Sequence, residues 1–128
     1  NEFANEYCET LYENTNNTAI ISDRDRIIAI SGGSKKEYLE KRISPELEKI
    51  MESRNTYIAK EDMKPMKIFY EDTSDQEYTA QIIAPIIMQG DPIGTVILVS
   101  KEEGKVIGEV EAKLLETAAG FLAKQMEN

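Results

Sequence analysis

The residues best suited to binding chemistry in this sequence are Ser31, Gly32, Gly33 and Ser34. Two adjacent glycines leave backbone N–H groups open to approach, and the flanking serines add hydroxyl groups. The stretch follows an apolar run and precedes a helical pattern, so its N–H groups are expected at a helix start, where an anion is favoured. The alternative is a plain strand-to-helix turn, in which Ser34 caps the helix and nothing binds.

Histidine and cysteine, which are common in acid–base and metal chemistry, are, respectively, absent and single in this chain. The chain has no histidine, which removes the commonest general base, the serine-type triad and most metal sites. Carboxylates are plentiful, but none lies in an apolar run where burial would raise its pKa. Cys8 is the only cysteine, so neither an intrachain disulfide nor a zinc site is expected. The sequence lacks a nucleophile–base pair, a set of metal ligands and a phosphate-binding loop. We therefore expect that the protein is not an enzyme and binds no cofactor and no metal.

Length and charge set further bounds. A chain of 128 residues is expected to form a single domain, 1–128. No apolar run reaches the roughly 18 residues of a membrane span, and the acidic start lacks the basic region of a signal peptide. We therefore expect a soluble, cytoplasmic protein with no membrane partner. A net charge of −9 disfavours binding to the negatively charged phosphate backbone of nucleic acids, so this domain is not expected to bind DNA.

The elements that must position the candidate site centre on one apolar stretch, Tyr78–Ser100. Two runs, Ala80–Met88 and Ile93–Val99, flank a predicted turn at Gly90-Asp91-Pro92, where glycine allows positive φ and proline fixes φ. Both runs are apolar on both faces, which predicts central strands covered on both sides. Pro85 cannot donate a ladder hydrogen bond and predicts a bulge or strand shift.

The remaining patterns predict an α+β fold, in which a central antiparallel sheet carries helices on both faces. Ser34 with Glu37, and Ser44 with Pro45, are typical helix starts. The predicted helices are Phe3–Tyr12, Lys35–Lys41, Pro45 to about Arg54, and Val106 to the end; the predicted strands are Thr18–Ser22, Ile27–Ser31, and more weakly Thr56–Ala59 and Met66–Tyr70.

The apolar stripe of the last helix is wider than one layer of contacts requires. We therefore expect the first and last helices to pair, within a subunit and across a homodimer. The alternative is that the whole stripe is core. The predicted interface residues are Phe3, Tyr7, Leu11, Leu114, Ala118, Phe121 and Leu122.

This order of elements resembles the GAF fold, a relative of PAS, and Gly90-Asp91-Pro92-Ile93-Gly94 is typical of its last strand pair. More specifically, the chain resembles the family of C-terminal GAF domains of stage V sporulation protein T, transcription regulators related to AbrB. The resemblance covers nearly the whole chain, although Glu46–Tyr78 matches only loosely. The other matching stretches are Ser22–Asp25, Ala29–Lys36, Val110–Lys113 and Glu116–Met126.

The resemblance implies a regulatory domain of a sporulation transcription factor that senses a small molecule and oligomerises. Ligand state would be relayed through packed N- and C-terminal helices to a separate N-terminal DNA-binding domain, which this chain does not contain. The alternative is a purely structural dimerisation or tetramerisation domain with no ligand.

The resemblance also implies where a ligand would sit, between the sheet and the helices and loops of one face. The implied pocket residues are Ile30, Ser31, Gly32, Gly33 and Ser34, with Tyr38 and Leu39 as a wall and Ala84, Pro85 and Ile86 as the floor. The Asn-Lys…Phe…Asp-Glu signature of cyclic-nucleotide GAF domains is absent, so cyclic GMP and cyclic AMP are disfavoured. Cys8 lies outside this region, which opposes a covalently attached chromophore, and sulfoxide-reducing GAF enzymes need several cysteines.

Overall fold

A computed structural model describes residues 2–60, 64–74 and 76–126. Its elements in chain order are α1 Glu2–Thr15, β1 Thr18–Asp23, β2 Ile27–Ser31, α2 Lys35–Tyr38, α3 Pro45–Ser53, β3 Tyr57–Ala59, β4 Ala80–Met88, β5 Asp91–Ser100 and α4 Glu109–Gln125. The strands form one sheet in the order β2-β1-β5-β4-β3, and every pairing is antiparallel.

The sheet is covered on both sides, as the two-sided apolar runs predicted. On the terminal-helix face, Ala84 and Leu98 pack with α1 and α4. On the opposite face, which we call the cavity face, Ile83 and Ile97 pack with α2, α3 and the intervening loops. Successive residues of a strand point to opposite faces, so a strand buried in the middle of this sheet contributes to both cores.

The central hairpin turns earlier than predicted. Gln89 and Gly90 have φ of 51° and 85°, as a two-residue hairpin turn of the primed type requires. Asp91 and Pro92 already belong to β5, so the predicted turn at Gly90-Asp91-Pro92 is wrong by one residue. Pro85 pairs with Thr95, and the register shift predicted there falls just beyond it, between Ile86 and Ile87.

The two glycines of the Gly90–Gly94 stretch are required for different structural reasons. Gly90 supplies the positive φ of the turn. Gly94 pairs with Asp23 of β1, and a Cβ added to Gly94 would lie 2.2 Å from the carbonyl oxygen of Ser22. No side chain fits there. Arg24 donates from Nε to the carbonyl of Pro92 at 3.0 Å, so the Ser22–Asp25 and Gly90–Gly94 stretches meet in the sheet.

The structure departs from the predicted elements at three other places. The helix predicted over Lys35–Lys41 stops at Tyr38, because the backbone N–H of Glu40 donates to the carbonyl of Ile27 at 3.0 Å. Met66–Tyr70 forms only an isolated bridge between Phe69 and Ile43 and not the predicted strand. The last helix begins at Glu109, after Gly108, and not at Val106.

The terminal helices pack together, as predicted. The rings of Tyr7 and Phe121 lie 5.2 Å apart between centroids. Cys8 is fully buried between α1 and the sheet. Burial raises the pKa of its thiol from 9.0 to about 12, so Cys8 acts as a small apolar core residue.

Candidate functional site

A cavity of about 180 Å³ opens on the cavity face where the start of β1 and the end of β5 meet the start of α2. We call it the tyrosine cavity. Its lining residues are Thr18, Gly33, Ser34, Glu37, Tyr38, Tyr78, Val99, Ser100 and Lys101. The side-chain oxygen of Ser34 accepts from the backbone N–H of Glu37 at 3.2 Å. This cap starts α2 and holds the α2 side of the cavity wall in place.

Two tyrosines form the inner wall of this cavity. The hydroxyl groups of Tyr38 and Tyr78, the phenol pair, lie 2.6 Å apart and are buried. The ring of Tyr38 meets that of Phe69 edge-on at 5.2 Å, which fixes its orientation. Burial raises the pKa of both phenols above the usual value because it penalises the charged form. The pair is therefore neutral at physiological pH.

Two residues of opposite charge, Lys101 and Glu37, line the tyrosine cavity. The Nζ of Lys101 lies 5.3 Å from the centre of the Tyr78 ring, in cation–π geometry. The carboxylate of Glu37 lies on α2 and lines the same cavity. Within residues 2–60, 64–74 and 76–126, neither side chain forms a salt bridge, and the two do not pair with each other.

A second, smaller cavity of about 100 Å³ lies on the other side of Tyr78. Its lining residues are Pro65, Met66, Lys67, Asp72, Ser74, Gln76, Glu77 and Tyr78. Tyr78 is common to both cavities, and Tyr38 lines only the tyrosine cavity. Tyr78 is thus part of the wall of both spaces.

Three of the predicted pocket residues, Gly33, Ser34 and Tyr38, line the tyrosine cavity. Ile30 lies in the adjacent core, and Leu39 packs against that core without lining the cavity. Among the remaining predictions, Ser31 pairs with Ala19 at the end of β2.

Gly32 has a structural role outside the cavity. Its φ is +80°, and an added Cβ would lie 2.4 Å from the ring of Tyr12 on α1. The glycine pair is thus divided, since Gly33 faces the cavity and Gly32 faces the first helix. The anion-binding corner predicted for both glycines loses one of its two residues, and α2 is only a single turn long.

The expected cavity floor is wrong. Ala84 and Ile86 lie in the core of the terminal-helix face, on the far side of the sheet. Pro85 lines a different groove, beside Ala119 and Gly120 of α4. There are two reasons. Ala84 and Ile86 point to the terminal-helix face of the sheet, and β5 lies between β1 and β4, so the floor next to β1 comes from β5.

Six lining residues escaped the sequence analysis as site residues: Thr18, Glu37, Tyr78, Val99, Ser100 and Lys101. Thr18 lies in β1 and Glu37 in α2, Tyr78 precedes β4, and the last three lie at the end of β5 or directly after it. No local pattern brings these positions together. The one available signal was the place of Tyr78 and Lys101 at the same open end of the predicted hairpin, where antiparallel pairing makes them neighbours.

The predicted interface residues divide into two groups. Leu11, Ala118 and Leu122 are buried within the subunit, so their assignment to an interface is wrong, because they pack against the sheet. Phe3, Leu114 and Phe121 remain 47%, 43% and 41% exposed, and Tyr7 is half-buried against Phe121. Val110, which was not predicted, is 72% exposed on the same stripe.

Two further features bear on function. No group of three or more potential metal-ligating side chains is found in the part of the chain that the structure describes. Over the same residues, no helix is both long and apolar enough to cross a bilayer.

Solved structures with this fold are GAF domains and GAF-like proteins. The GAF domain of a phosphoenolpyruvate-protein phosphotransferase from Coxiella burnetii has a TM-score of 0.76 at 17% identity, covering 96% of this chain and 79% of that one. The cofactor-binding GAF domain of the nutrient sensor CodY from Clostridium difficile has 0.68 at 13% identity, covering 95% and 83%. A type II free methionine-R-sulfoxide reductase from Thermoplasma acidophilum has 0.71 at 17%, covering 96% and 92%. These likenesses confirm the GAF fold.

Sequence similarity is more specific. Stage V sporulation protein T of Bacillus subtilis strain 168 is 44% identical over 126 residues, which cover 98% of this chain and 68% of that protein. The model of the family described as "Stage V sporulation protein T C-terminal, transcription factor" matches residues 1–127. The chain therefore belongs to the stage V sporulation protein T C-terminal family of transcription factors.

Proposed function

We propose that this domain is the sensing and oligomerisation module of a cytoplasmic sporulation transcription factor. A small molecule binds in the tyrosine cavity, and its presence changes the packing of the terminal helices. A separate N-terminal domain reads DNA, and the sensing module itself carries out no catalysis. The observation that carries the proposal is a partly polar cavity at the Gly33-Ser34 turn, where the family resemblance implied one.

A physical route from the cavity to the terminal helices supports this proposal. Gly33 lines the cavity, and the adjacent Gly32 lies against the ring of Tyr12 on α1. Val99 of β5 faces the cavity, and its neighbour Leu98 packs beneath the terminal helices. A ligand that shifts either the glycine turn or β5 therefore acts on α1 and α4 through contacts one residue away.

A likeness to another regulator is compatible with sensing. The CodY domain is described as cofactor-binding and as part of a nutrient sensor. At 13% identity this likeness supports only a shared fold. The ligand of this domain must therefore be inferred from its own cavity.

The test is a thermal-shift screen of the domain against amino acids, nucleotides and sugar phosphates. A ligand of the native state raises the melting temperature with concentration. Ser100→Leu, which adds bulk at the cavity wall, should abolish the shift, and Thr10→Leu on the exposed side of α1 should retain it. No shift with any class would overturn the sensing function.

An oligomerisation function without a ligand is the second candidate, and the exposed stripe on the terminal helices favours it. Val110, Leu114 and Phe121 lie along one side of α4, and Phe3 adds to the stripe from α1. Such a set is typical of a subunit interface. We propose a homodimer through this stripe, in keeping with the half of the predicted interface that remains exposed.

Two neighbouring substitutions test the dimer. Phe121→Glu should leave a folded monomer, since this ring is 41% exposed. Leu122→Glu should unfold the chain, since Leu122 is fully buried and an unpaired charge there is costly. Sedimentation and circular dichroism separate the two effects. A wild-type monomer at all concentrations, or a Phe121→Glu dimer, would contradict this assignment.

A further inference from the structure

The tyrosine cavity carries unused hydrogen-bonding and charge capacity of both signs, and we propose that its ligand is a small zwitterion of the α-amino acid class. The carboxylate would lie at Lys101 and the phenol pair, and the ammonium at Glu37. This inference rests on the proposed sensing function and names the chemistry of the ligand at that site.

The phenol pair has one hydrogen to spare. Tyr38 and Tyr78 are 6% and 8% exposed, and a single hydrogen bond of 2.6 Å joins their hydroxyl groups. Two hydroxyls carry two hydrogens, and only one of them lies in that bond. Over the described residues, no other acceptor bonds either group. A buried donor without an acceptor is unfavourable. A ligand carboxylate, which only accepts hydrogen bonds, would give the second hydroxyl hydrogen its missing acceptor.

A cation lies over the ring of one member of the phenol pair. The Nζ of Lys101 lies 5.3 Å from the centre of the Tyr78 ring, and it forms no salt bridge with a described carboxylate. Lys101 is itself only partly exposed. A ligand carboxylate placed between Lys101 and the phenols would accept one charge-assisted and one neutral hydrogen bond.

An anion lines the same cavity from α2, the helix that also carries Tyr38. Glu37 lines the cavity from α2, and its carboxylate has no salt bridge among the described residues. A ligand with a single charge gains one of these two partners and leaves the other unused. A zwitterion satisfies both at once, so the cavity discriminates by charge pattern.

The size of the space limits the ligand side chain. A volume of about 180 Å³ lies below the roughly 300–1,000 Å³ of sites for drug-sized molecules. Val99 gives an apolar floor, and the buried side chain of Tyr78 takes up part of the wall. These limits favour short aliphatic or hydroxylated side chains over long or aromatic ones.

The experiment is a titration of the ¹⁵N-labelled chain with L-valine, L-alanine and L-serine. Isovalerate and isobutylamine, which are valine without its ammonium or its carboxylate, serve as matched probes. We expect saturable shifts at the amides of Gly33, Ser34 and Ser100 with at least one amino acid. The matched single-charge probe should bind about tenfold more weakly, as expected for loss of one charged hydrogen bond.

Charge-removing variants assign the two ends. Lys101→Met and Glu37→Gln should each weaken amino acid binding about tenfold. Lys36→Met and Glu40→Gln, exposed neighbours outside this cavity, should leave it unchanged.

The possible failures are distinguishable. If single-charge probes bind as tightly as the amino acids, or if only a nucleotide or sugar phosphate shifts the cavity amides, the zwitterion inference is overturned and the sensing function stands. If no probe of any class shifts them, both fall.

Discussion

The terminal-helix face and the cavity face of the same sheet are packed in different ways. Long helices α1 and α4 cover the first with small and aliphatic side chains such as Ala4, Leu115 and Leu122, all buried. The one-turn helix α2 and irregular loops cover the second, where Tyr38, Phe69 and Tyr78 take the place of aliphatic residues. Small side chains allow helices to pack closely, whereas large rings on short elements leave gaps with polar walls. The first face suits stability and assembly, and the second suits binding.

The test of this difference with the largest expected effect is a side-chain truncation on the terminal-helix face. Leu122→Ala should lower the free energy of unfolding by about 2–5 kcal/mol, because Leu122 is fully buried and the helix cannot collapse into the space. Leu114→Ala, one exposed leucine on the same helix, should cost less than about 1 kcal/mol in the monomer. Urea denaturation measures both. Equal losses would show that the assignment of core and surface on α4 is incorrect.

A second test uses alkaline pH. The pKa of the Cys8 thiol rises from 9.0 to about 12 on folding, so the unfolded chain loses this proton first as pH rises. The stabilisation that the protonated Cys8 thiol gives the native state is complete below pH 9 and is lost between about pH 9 and 12. In that interval the free energy of unfolding should fall by about 1.4 kcal/mol per pH unit.

In Cys8→Ala this part of the slope should vanish. The check is the free energy of unfolding of the two proteins measured between pH 8 and 10, where their difference should change with pH. A constant difference would mean that the thiol is accessible in the native state.

On the cavity face, Tyr78→Phe should cost about 1 kcal/mol, because it removes one hydrogen bond and leaves the hydroxyl of Tyr38 buried without its partner. Tyr38→Phe together with Tyr78→Phe should recover part of that loss, since no unpaired hydroxyl remains. Thermal unfolding of the single and double variants forms the required cycle. Strict additivity would contradict a direct bond between the phenols.

The smallest expected effect is a gain. Gly120 lies inside α4, and an added Cβ would meet nothing within 4 Å. Gly120→Ala should therefore stabilise the monomer by roughly 0.5–1 kcal/mol through helix propensity. Chemical denaturation of a dilute sample gives the value. A loss of stability would indicate that the groove beside Pro85 is filled.

Sequence patterns predicted the sheet, its two covered faces and the pairing of the terminal helices, because these follow from period-two and helical spacing within single segments. The turn pattern and the family resemblance also pointed to Gly33, Ser34 and Tyr38, which line the tyrosine cavity and lie within six positions of one another in the chain. Sequence reasoning failed for Ala84 and Ile86 because β4 is apolar on both faces, so its pattern does not show which residues face the cavity. Strand order, which no local pattern encodes, then makes β5 the floor. Sequence reasoning failed for Leu11 and Leu122 because a wide apolar stripe does not distinguish core from interface.

The close approach of Gly94 to the Ser22 carbonyl has a consequence for recognising relatives. Because no side chain can occupy position 94 in this fold, the Gly90–Gly94 stretch reports how β1 and β5 are joined and carries no information about the cavity. A search keyed on that stretch gathers proteins with one architecture and with cavities of any chemistry. Sorting such proteins by ligand requires the positions of Glu37, Tyr78 and Lys101, which lie far from the stretch that identifies them.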